Sequence, residues 1–310
     1  MRALLVVNPK ATTTTKRGRE VLARALASEV KVDLVQTEYR GHAAALALRA
    51  ARDGVDLVAA LGGDGTINEV VNGLLTDGPS ASTPALAIVP GGSTNVFSRA
   101  LGQSQNPIEA TADILDTLRA GGESIGRPIG LGKAGSRWFT FSAGLGLDAE
   151  VILRMERRRR AGRSISHLRY VRAAVAHFYL HTDRRQPALT LERPGSDPVT
   201  GLFLAIVSNT TPWTYLHERP VRPSPEASFD SGLDLFALRR MRTVTVVRTL
   251  RQMLSKRARL RGKHLYRQHD IGSFTLRSDR PLGFQVDGDY LGEREHVTFE
   301  AVPNALRVVI

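Results

Sequence analysis

The chain has 310 residues, no cysteine and a formal net charge of +13. Its length suffices for two ordinary domains, and the lack of cysteine excludes disulfides, thiolate nucleophiles and cysteine-ligated metal centres. No stretch approaches the roughly 18 consecutive apolar residues of a membrane-spanning helix. We therefore expect a cytoplasmic protein that is soluble or attached only to a membrane surface.

The positive charge is concentrated in two segments of the second half. Residues 154–185 contain ten arginines against two acids, and residues 239–269 contain eleven lysines and arginines and no acid. These segments carry net charges of +8 and +11, so the rest of the chain sums to −6. Such a distribution favours an anionic partner, either a membrane surface or a nucleic acid.

The first half of the chain alternates short β-branched runs with helical patterns, as successive βα units do. Strands are predicted at 3–8, 31–37, 56–61 and 85–89, and helices at 16–28, 42–52, 66–75 and 107–120. In the third helix Ile67, Val70, Val71 and Leu74 recur at helical spacing and form one apolar face. We predict an α/β domain with a parallel sheet over residues 1–124.

Beyond a glycine-rich hinge at 121–128 the pattern changes to apolar runs separated by Gly, Pro and Asp turns. This spacing predicts an antiparallel, β-sandwich-like domain over residues 125–310, with the two basic segments as helical insertions. The last strand can return to the first domain in this arrangement. The runs lie at 137–142, 202–208, 233–238, 274–278, 282–286 and 297–302.

Three polar turns are predicted to meet at the carboxyl edge of the parallel sheet. They read NPKATTTTK at 8–16, GGDGTIN at 62–68 and PGGSTNVF at 90–97. A glycine-rich turn between a strand and a helix presents backbone N–H groups and the positive helix end to a phosphate. Ligands of open α/β sheets bind at this edge. The alternative is a tight βα turn that merely tolerates glycine.

Other chemical motifs are weak. Gly-Leu-Gly-Leu-Asp-Ala at 144–149 matches a dinucleotide fingerprint, but the acid expected about 20 residues later is missing. The chain has no Walker pattern, and its eight histidines show no metal-ligand spacing. A dinucleotide site, a Walker-type enzyme and a histidine metal centre are therefore not expected.

Five signatures follow one another along almost the whole chain: NPKATTTT at 8–15, GGDGTINEVVNGL at 62–74, PGGSTNVFSRALG at 90–102, FSAGLGLDAEV at 141–151 and VDGDYLG at 286–292. Together they resemble the bacterial diacylglycerol kinase-like lipid kinases, relatives of the sphingosine and ceramide kinases. NAD kinases and phosphofructokinases share the Gly-Gly-Asp-Gly turn, whereas the ordered set is much more specific. The resemblance implies a phosphofructokinase-like ATP domain followed by a β-sandwich that shapes a lipid site.

The same resemblance implies an ATP- and Mg-dependent kinase that phosphorylates the hydroxyl of diacylglycerol or a related lipid alcohol. Asp64 falls where Mg²⁺ bridges the ATP phosphates, so its charge organises the metal. Asp289 falls on the carboxylate that serves as general base for the lipid hydroxyl. The family's nucleotide contacts fall on Asn8, Pro9, Lys10, Thr12, Thr37, Gly62, Gly63, Asp64, Gly65, Thr66, Ile67, Asn68, Ser93 and Thr94.

Three departures from the family pattern keep alternatives open. Asp289 stands where relatives usually have Glu, and Val96 and Gly130 stand where they often have acids, with Asp148 as a candidate replacement. A soluble NAD kinase-like enzyme and a nucleotide-binding regulator without catalysis therefore remain alternatives. A basic nucleic-acid-binding protein would explain the charge but not three phosphate turns at one edge, so no nucleic acid partner is expected.

The basic segments allow two interpretations. Their apolar stripes suit an anionic membrane surface, and they are equally suited to packing against the second domain. We favour attachment to the inner face of the membrane, and a homodimer stays open. In the second segment the stripe comprises Val246, Val247, Leu250, Met253 and Leu254, opposite Arg248, Arg251 and Lys256.

Overall fold

A computed structural model describes residues 1–11, 16–121, 125–146, 186–216 and 218–310. These residues form two compact units, Met1–Leu131 with Pro303–Ile310, and Gly132–Val302. The predicted domain boundary lies between residues 124 and 125, whereas the boundary between the two units lies between residues 131 and 132. Two candidate site residues, Thr12 and Asp148, and the basic segment 154–185 lie outside the described residues.

The first unit contains a parallel sheet with helices between its strands, as predicted. The strands are paired in the order β16-β4-β3-β1-β2, and Val308 and Val309 of β16 pair in parallel with Leu86 and Ala87. The elements are β1 (Arg2–Val7), α1 (Lys16–Ala27), β2 (Lys31–Gln36), α2 (His42–Arg52), β3 (Leu57–Gly62), α3 (Asp64–Leu74), β4 (Ala85–Pro90), α4 (Val96–Ala100) and α5 (Pro107–Ala120).

The centre of this sheet is apolar because helices cover both faces of a parallel sheet. Every residue of β3 and β4 is buried. Helix α3 packs closely on α2, since a Cβ on Gly73 would collide with the backbone carbonyl of Ala44. The predicted third helix begins at residue 66, but α3 begins at Asp64. The aspartate therefore lies in the first helical turn, where a negative charge interacts favourably with the helix dipole.

The second unit is antiparallel, as predicted, in the order β14-β13-β10-β7-β15-β16 with β8 and β9 beside β15. A sandwich of two facing sheets stays a prediction. The elements are β5 (Arg127–Ala134), β6 (Arg137–Phe139), β7 (Ser142–Leu145), β8 (Leu189–Arg193), β9 (Ser196–Leu202), β10 (Leu204–Ser208), β11 (Thr214–Leu216), β12 (Arg219–Val221), β13 (Leu233–Leu238), α6 (Thr243–Met253), β14 (Leu265–Ile271), β15 (Ser273–Val286) and β16 (Asp289–Val309).

Two apolar runs predicted as separate strands, 274–278 and 282–286, form one strand. Both lie in β15, and the register of β15 against β16 shifts between Arg277 and Leu282. The intervening polar residues and Pro281 are accommodated as an irregularity within the strand. Among the described helices, none is long and apolar enough to cross a membrane.

Candidate active site

The predicted polar turns of the first unit follow the carboxyl ends of adjacent strands. The Asn8 N–H donates to the Leu61 carbonyl at 2.9 Å, and the Gly91 N–H donates to the Gly62 carbonyl at 2.8 Å. On the other side, the Thr37 N–H donates to the Val7 carbonyl at 2.8 Å. The ladder of the sheet thus continues one residue into each turn and fixes the turns beside one another.

The second and third turns are in backbone contact. A Cβ on Gly92 would lie 2.7 Å from the Cα of Gly63, and one on Gly91 would lie 2.9 Å from the Cα of Gly62. No side chain fits at these positions, because real Cβ atoms do not approach backbone so closely. Around the exposed Gly65, by contrast, a Cβ would meet nothing within 4 Å. The first turn of α3 is therefore open at Gly65.

This opening lies at the N-terminus of α3, where the N-cap residue itself provides no side-chain cap. Helix α3 has Gly63 at its N-cap position, and Gly63 has no side chain to accept from the first N–H groups. The first N–H groups of a helix have no intrahelical acceptor. An uncapped N-terminus with room beside its first turn is chemically suited to an anion such as a phosphate.

Asn8 and Thr66 link the first turn to the second. The Asn8 Nδ2 donates to the Thr66 Oγ1 at 2.9 Å, and the Lys10 N–H donates to the Asn8 Oδ1 at 2.9 Å. Thr66 is buried, whereas Pro9 and Lys10 are exposed. Asn8 thus has a positioning role between the turns, and the Lys10 side chain extends from them.

Asp64 bridges the second and third turns. Its Oδ1 accepts a hydrogen bond from the backbone N–H of Phe97 at 3.1 Å. Phe97 lies in the first turn of α4, which receives no side-chain cap from its own N-cap residue, Asn95. The carboxylate therefore lies at the N-terminal ends of two helices, α3 and α4, where both dipoles stabilise its charge.

The donor set around Asp64 fits magnesium rather than a metal held entirely by protein. In the part of the chain that the structure describes, only Glu226, Asp234 and His269 bring three metal-ligand atoms within 4.8 Å of one another, so Asp64 has no such group. Magnesium is commonly held by one or two carboxylates together with phosphates and water. Asp64 would supply the carboxylate, and a nucleotide and water the remaining ligands.

The cluster of Glu226, Asp234 and His269 escaped the sequence analysis because its members come from three separate segments. Its groups already interact with protein: the His269 Nδ1 lies 2.7 Å from the Asp234 Oδ1, and Arg267 forms an ion pair with Glu226 at 3.0 Å. Burial raises the pKa of the Asp234 carboxyl. A cation here would have to compete with Arg267, so we assign the cluster to folding.

The third turn is closed by Asn95, a residue that the sequence analysis did not single out. Its Oδ1 accepts from the Gly92 N–H at 2.9 Å and its Nδ2 donates to the Gly92 carbonyl at 2.9 Å. Its φ of 47° is left-handed, a conformation that asparagine tolerates better than most residues. The neighbouring Ser93 is exposed and Thr94 half-exposed. Neither side chain hydrogen-bonds to another described residue, and both positions are accessible to solvent.

Glu69 is a second residue that the sequence analysis missed. It lies one turn beyond Asp64 in α3, and its carboxylate accepts from the Gly41 N–H at 2.8 Å and the Ala43 N–H at 3.3 Å. These donors belong to the N-terminus of α2, which has no cap of its own because its N-cap residue is Gly41. Glu69 thus fixes α2 to α3 and supports the helix that carries Asp64.

The two positions that depart from the family pattern offer no ligand. Val96 is the first residue of α4 and is buried, and Gly130 is buried within β5. Neither side chain can replace a carboxylate. The remaining candidate, Asp148, lies outside the described residues.

In the second unit, Asp287 and Gly288 form the two-residue turn of the β15–β16 hairpin. Their φ angles of 46° and 80° are both positive, as a type I′ turn requires. The Asp287 carboxylate is 5% exposed and accepts four hydrogen bonds of 2.7–3.0 Å, from the N–H and hydroxyl of Thr140 and the N–H groups of Phe141 and Ser142. Burial raises the pKa of this carboxyl, and the four donors oppose the rise. Asp287 therefore holds residues 140–142 to the hairpin.

Asp289 has a different environment. It is the first residue of β16, pairs with Val286 across the hairpin and is partly exposed. The two aspartates differ because Asp287 is a turn residue with positive φ, whereas Asp289 begins a strand. Of the two, Asp289 has the exposure that a proton acceptor for a substrate requires.

Residues 2–121 match the family model of the diacylglycerol kinase catalytic domain. This part of the chain is similar to that domain. This domain includes all fourteen predicted nucleotide-contact residues, whereas Asp289 lies outside the match. The predicted family and the predicted enzyme class, a lipid kinase of the diacylglycerol kinase type, are confirmed.

Whole-chain similarity extends beyond the kinase domain. A diacylglycerol kinase of Bacillus subtilis (strain 168) is 28% identical over 312 residues, covering 94% of this chain and 90% of that protein. A diacylglycerol kinase structure from Bacillus anthracis superimposes with a TM-score of 0.72 and 21% identity, covering 99% of this chain and 96% of that one. An NAD kinase from Archaeoglobus fulgidus, solved in complex with ATP, gives a TM-score of 0.53 and 11% identity, covering 100% and 94%. The two structural similarities show the fold alone.

Proposed function

We propose that the protein is an ATP- and Mg-dependent lipid kinase that transfers the γ-phosphoryl group to the hydroxyl of diacylglycerol or a related lipid alcohol. The observation that carries this proposal is the pair of interlocked glycine turns, bridged by Asp64 and open at Gly65, within the residues that match a diacylglycerol kinase catalytic domain. Its substrate resides in a membrane, so the enzyme would work peripherally at the cytoplasmic face.

In this proposal the first unit binds the ATP phosphates. The N-terminal N–H groups of α3 and the hydroxyls of Ser93 and Thr94 donate to phosphate oxygens, and Lys10 adds a positive charge. Thr37, which directly follows β2, would contact the nucleoside. Bound Mg²⁺, held through Asp64, supplies charge neutralisation on the phosphates.

Asp289 acts as the general base. Its carboxylate accepts the proton of the lipid hydroxyl while the hydroxyl oxygen forms a bond to the γ-phosphorus and the bond from the γ-phosphorus to the β–γ bridging oxygen breaks. Asp287 cannot easily take this role, because its carboxylate is buried and occupied by four donors. Instead it fixes the hairpin from which Asp289 extends.

Two alternatives make different predictions. An NAD kinase-like activity is supported by the shared Gly-Gly-Asp-Gly turn and by a shared fold at 11% identity, whereas the family match is to a diacylglycerol kinase domain. A nucleotide-binding regulator without catalysis is supported by Val96 and Gly130, which remove two acids that relatives often carry.

The deciding experiment offers γ-labelled ATP and a panel of acceptors: diacylglycerol, monoacylglycerol, ceramide, sphingosine and NAD. The lipids are dispersed in detergent micelles, so that access to a membrane does not limit the rate. Label in an organic-extractable lipid product supports the proposal. Label in NADP would support the NAD kinase alternative, and ATP binding without transfer to any acceptor would support a regulator.

A further inference from the structure

The apolar residues of helix α6 differ in how far they are buried. Val246, Met253 and Leu254 pack with the core cluster of the second unit that includes Phe236. The exposed side contains three other residues: Val244, Val247 and Leu250, which are 80%, 51% and 44% exposed. The sequence analysis leaves open whether this stripe packs or faces a membrane; in the structure Val246, Met253 and Leu254 pack, whereas Val247 and Leu250 are exposed.

The exposed apolar residues alternate with arginines on the same side of α6. Arg248 follows Val244 by four positions, and Arg251 follows Val247 by four, so each arginine lies one turn along from a valine. Both arginines are exposed. We call Val244, Val247, Leu250, Arg248 and Arg251 together the α6 surface.

The chain on either side of α6 adds more positive charge. Residues 239–269 contain no acid, and the cations flanking the helix are exposed. Within the described ranges, no ion pair neutralises Arg248 or Arg251. The flanking exposed cations are Arg239, Arg240, Arg242, Lys256, Arg257, Arg259, Arg261 and Lys263.

Other exposed apolar residues of helices lack this setting. Val21 in α1 follows Glu20, and Ile108 in α5 precedes Glu109, although they are 56% and 70% exposed. Exposed aliphatic side chains scattered singly are normal on a protein surface. Three of them on one helix face, within an acid-free basic segment, are the pattern of a helix that lies in a membrane interface.

We propose that the α6 surface docks on a membrane containing anionic phospholipid, with Val244, Val247 and Leu250 inserted among the acyl chains and Arg248 and Arg251 at the phosphates. The complementary charge selects an anionic surface, and the three aliphatic residues favour a lipid over a nucleic acid, because acyl chains can bury all of them whereas a nucleic acid presents mainly phosphates and polar base edges. The inference rests on the proposed function only in that a lipid substrate resides in a membrane. Docking itself needs neither ATP nor diacylglycerol.

The test measures co-sedimentation of the full chain with vesicles of phosphatidylcholine, alone or mixed with phosphatidylglycerol, without ATP or diacylglycerol. We expect partition onto the mixed vesicles that falls as salt rises. V244Q/V247Q/L250Q and R248Q/R251Q should each lower the partition coefficient about tenfold or more. The matched controls V21Q/I108Q and R49Q/R52Q should leave it unchanged, since they remove equivalent exposed groups from the first unit.

A spectroscopic readout reports insertion directly. Because the chain has no cysteine, V247C can be labelled at one position with an environment-sensitive fluorophore, and V21C provides the control. Emission from position 247 should shift to shorter wavelength on mixed vesicles, and emission from position 21 should not. Thermal denaturation of each variant verifies folding, which these exposed positions should not disturb.

The proposal is overturned if V244Q/V247Q/L250Q partitions like the wild type or if label at position 247 gives no shift, because binding would then be electrostatic only. It is also overturned if R248Q/R251Q loses retention on duplex DNA at matched salt but keeps its vesicle partition. Kinase activity in detergent micelles is measured in parallel. Retained micelle activity with lost vesicle binding separates failure of docking from failure of the proposed function.

Discussion

Asp64 and Phe97 are joined by a hydrogen bond of 3.1 Å from the Phe97 N–H to the carboxylate Oδ1. The contact connects the first turn of α3 to the first turn of α4, and thereby the two glycine turns that precede these helices. Asp64 consequently has two separable roles. Its oxygen accepts the hydrogen bond that holds the turns together, and its negative charge suits a metal ion. An asparagine keeps the first and removes the second.

We therefore expect Asp64→Asn to fold like the wild type and to lower kcat by about 10²–10³. Asp64→Ala removes the acceptor as well and should also lower the free energy of unfolding by about 1 kcal/mol, the usual effect of losing a helix cap. Steady-state kinetics and denaturant unfolding of both variants measure the two effects. If Asp64→Asn is as destabilised as Asp64→Ala, the hydrogen bond to Phe97 requires the negative charge. The structural role and the metal-binding role of Asp64 would then not be separable.

Gly65 distinguishes a phosphate site from a turn that merely tolerates glycine. A Cβ at this position meets no protein atom within 4 Å, so Gly65→Ala should leave the free energy of unfolding within about 1 kcal/mol of the wild type. If a phosphate approaches the backbone there, the methyl group should weaken ATP binding about tenfold or more. Gly92→Ala is the contrasting variant: its Cβ would lie 2.7 Å from the Cα of Gly63, and it should destabilise the protein by about 1–3 kcal/mol. Unchanged ATP affinity in Gly65→Ala, measured by calorimetry, would favour the plain turn.

Asp287 and Asp289 should respond in opposite ways to the same substitution. Asp287→Asn turns an amide toward groups that all donate, so we expect a loss of about 2 kcal/mol in the free energy of unfolding. Asp289→Asn should leave stability and ATP affinity nearly unchanged and lower kcat by about 10²–10⁴. Asp289→Glu should keep substantial activity, because it places the carboxylate that relatives usually carry. A stable but inactive Asp287→Asn beside a fully active Asp289→Asn would show that the general base is the other aspartate.

Glu69 should matter for stability rather than for chemistry. Glu69→Ala leaves the N–H groups of Gly41 and Ala43 without their carboxylate, and we expect a loss of about 1 kcal/mol in the free energy of unfolding. Relative to the wild type, amide hydrogen exchange in Glu69→Ala should become faster at the N-terminus of α2. It should stay unchanged at the N-terminus of α5, whose cap is the unrelated Asn106. A large fall in kcat without a change in stability would instead place Glu69 in the catalytic machinery.

The sequence was informative where local patterns determine structure. Alternation of β-branched runs and helical patterns predicts the parallel sheet of the first unit, and the polar turns are found beside its carboxyl edge because parallel strands end together. Helix α3 was predicted to begin two residues too late, because the apolar periodicity begins at Ile67 and does not mark the polar first turn.

Hydrogen-bond partners that are distant in sequence could not be predicted from local patterns. The four donors to Asp287 come from residues 140–142, and the donors to Glu69 come from α2. For α6, helical spacing identifies apolar residues but not which of them pack. Val246 and Val247 are adjacent in sequence and point to different sides of the helix, so only tertiary packing separates the core residue from the exposed one.

The central claim is that the turn containing Asp64 supports phosphoryl transfer from ATP to a lipid alcohol. The most direct measurement is the initial rate of labelled phosphatidate formation from diacylglycerol and γ-labelled ATP in detergent micelles with Mg²⁺, for the wild type beside Asp64→Asn at equal concentration. We expect steady turnover by the wild type and a rate about 10²–10³ lower for the variant. Equal rates for the two proteins, or no labelled lipid from a wild type that binds ATP, would contradict it.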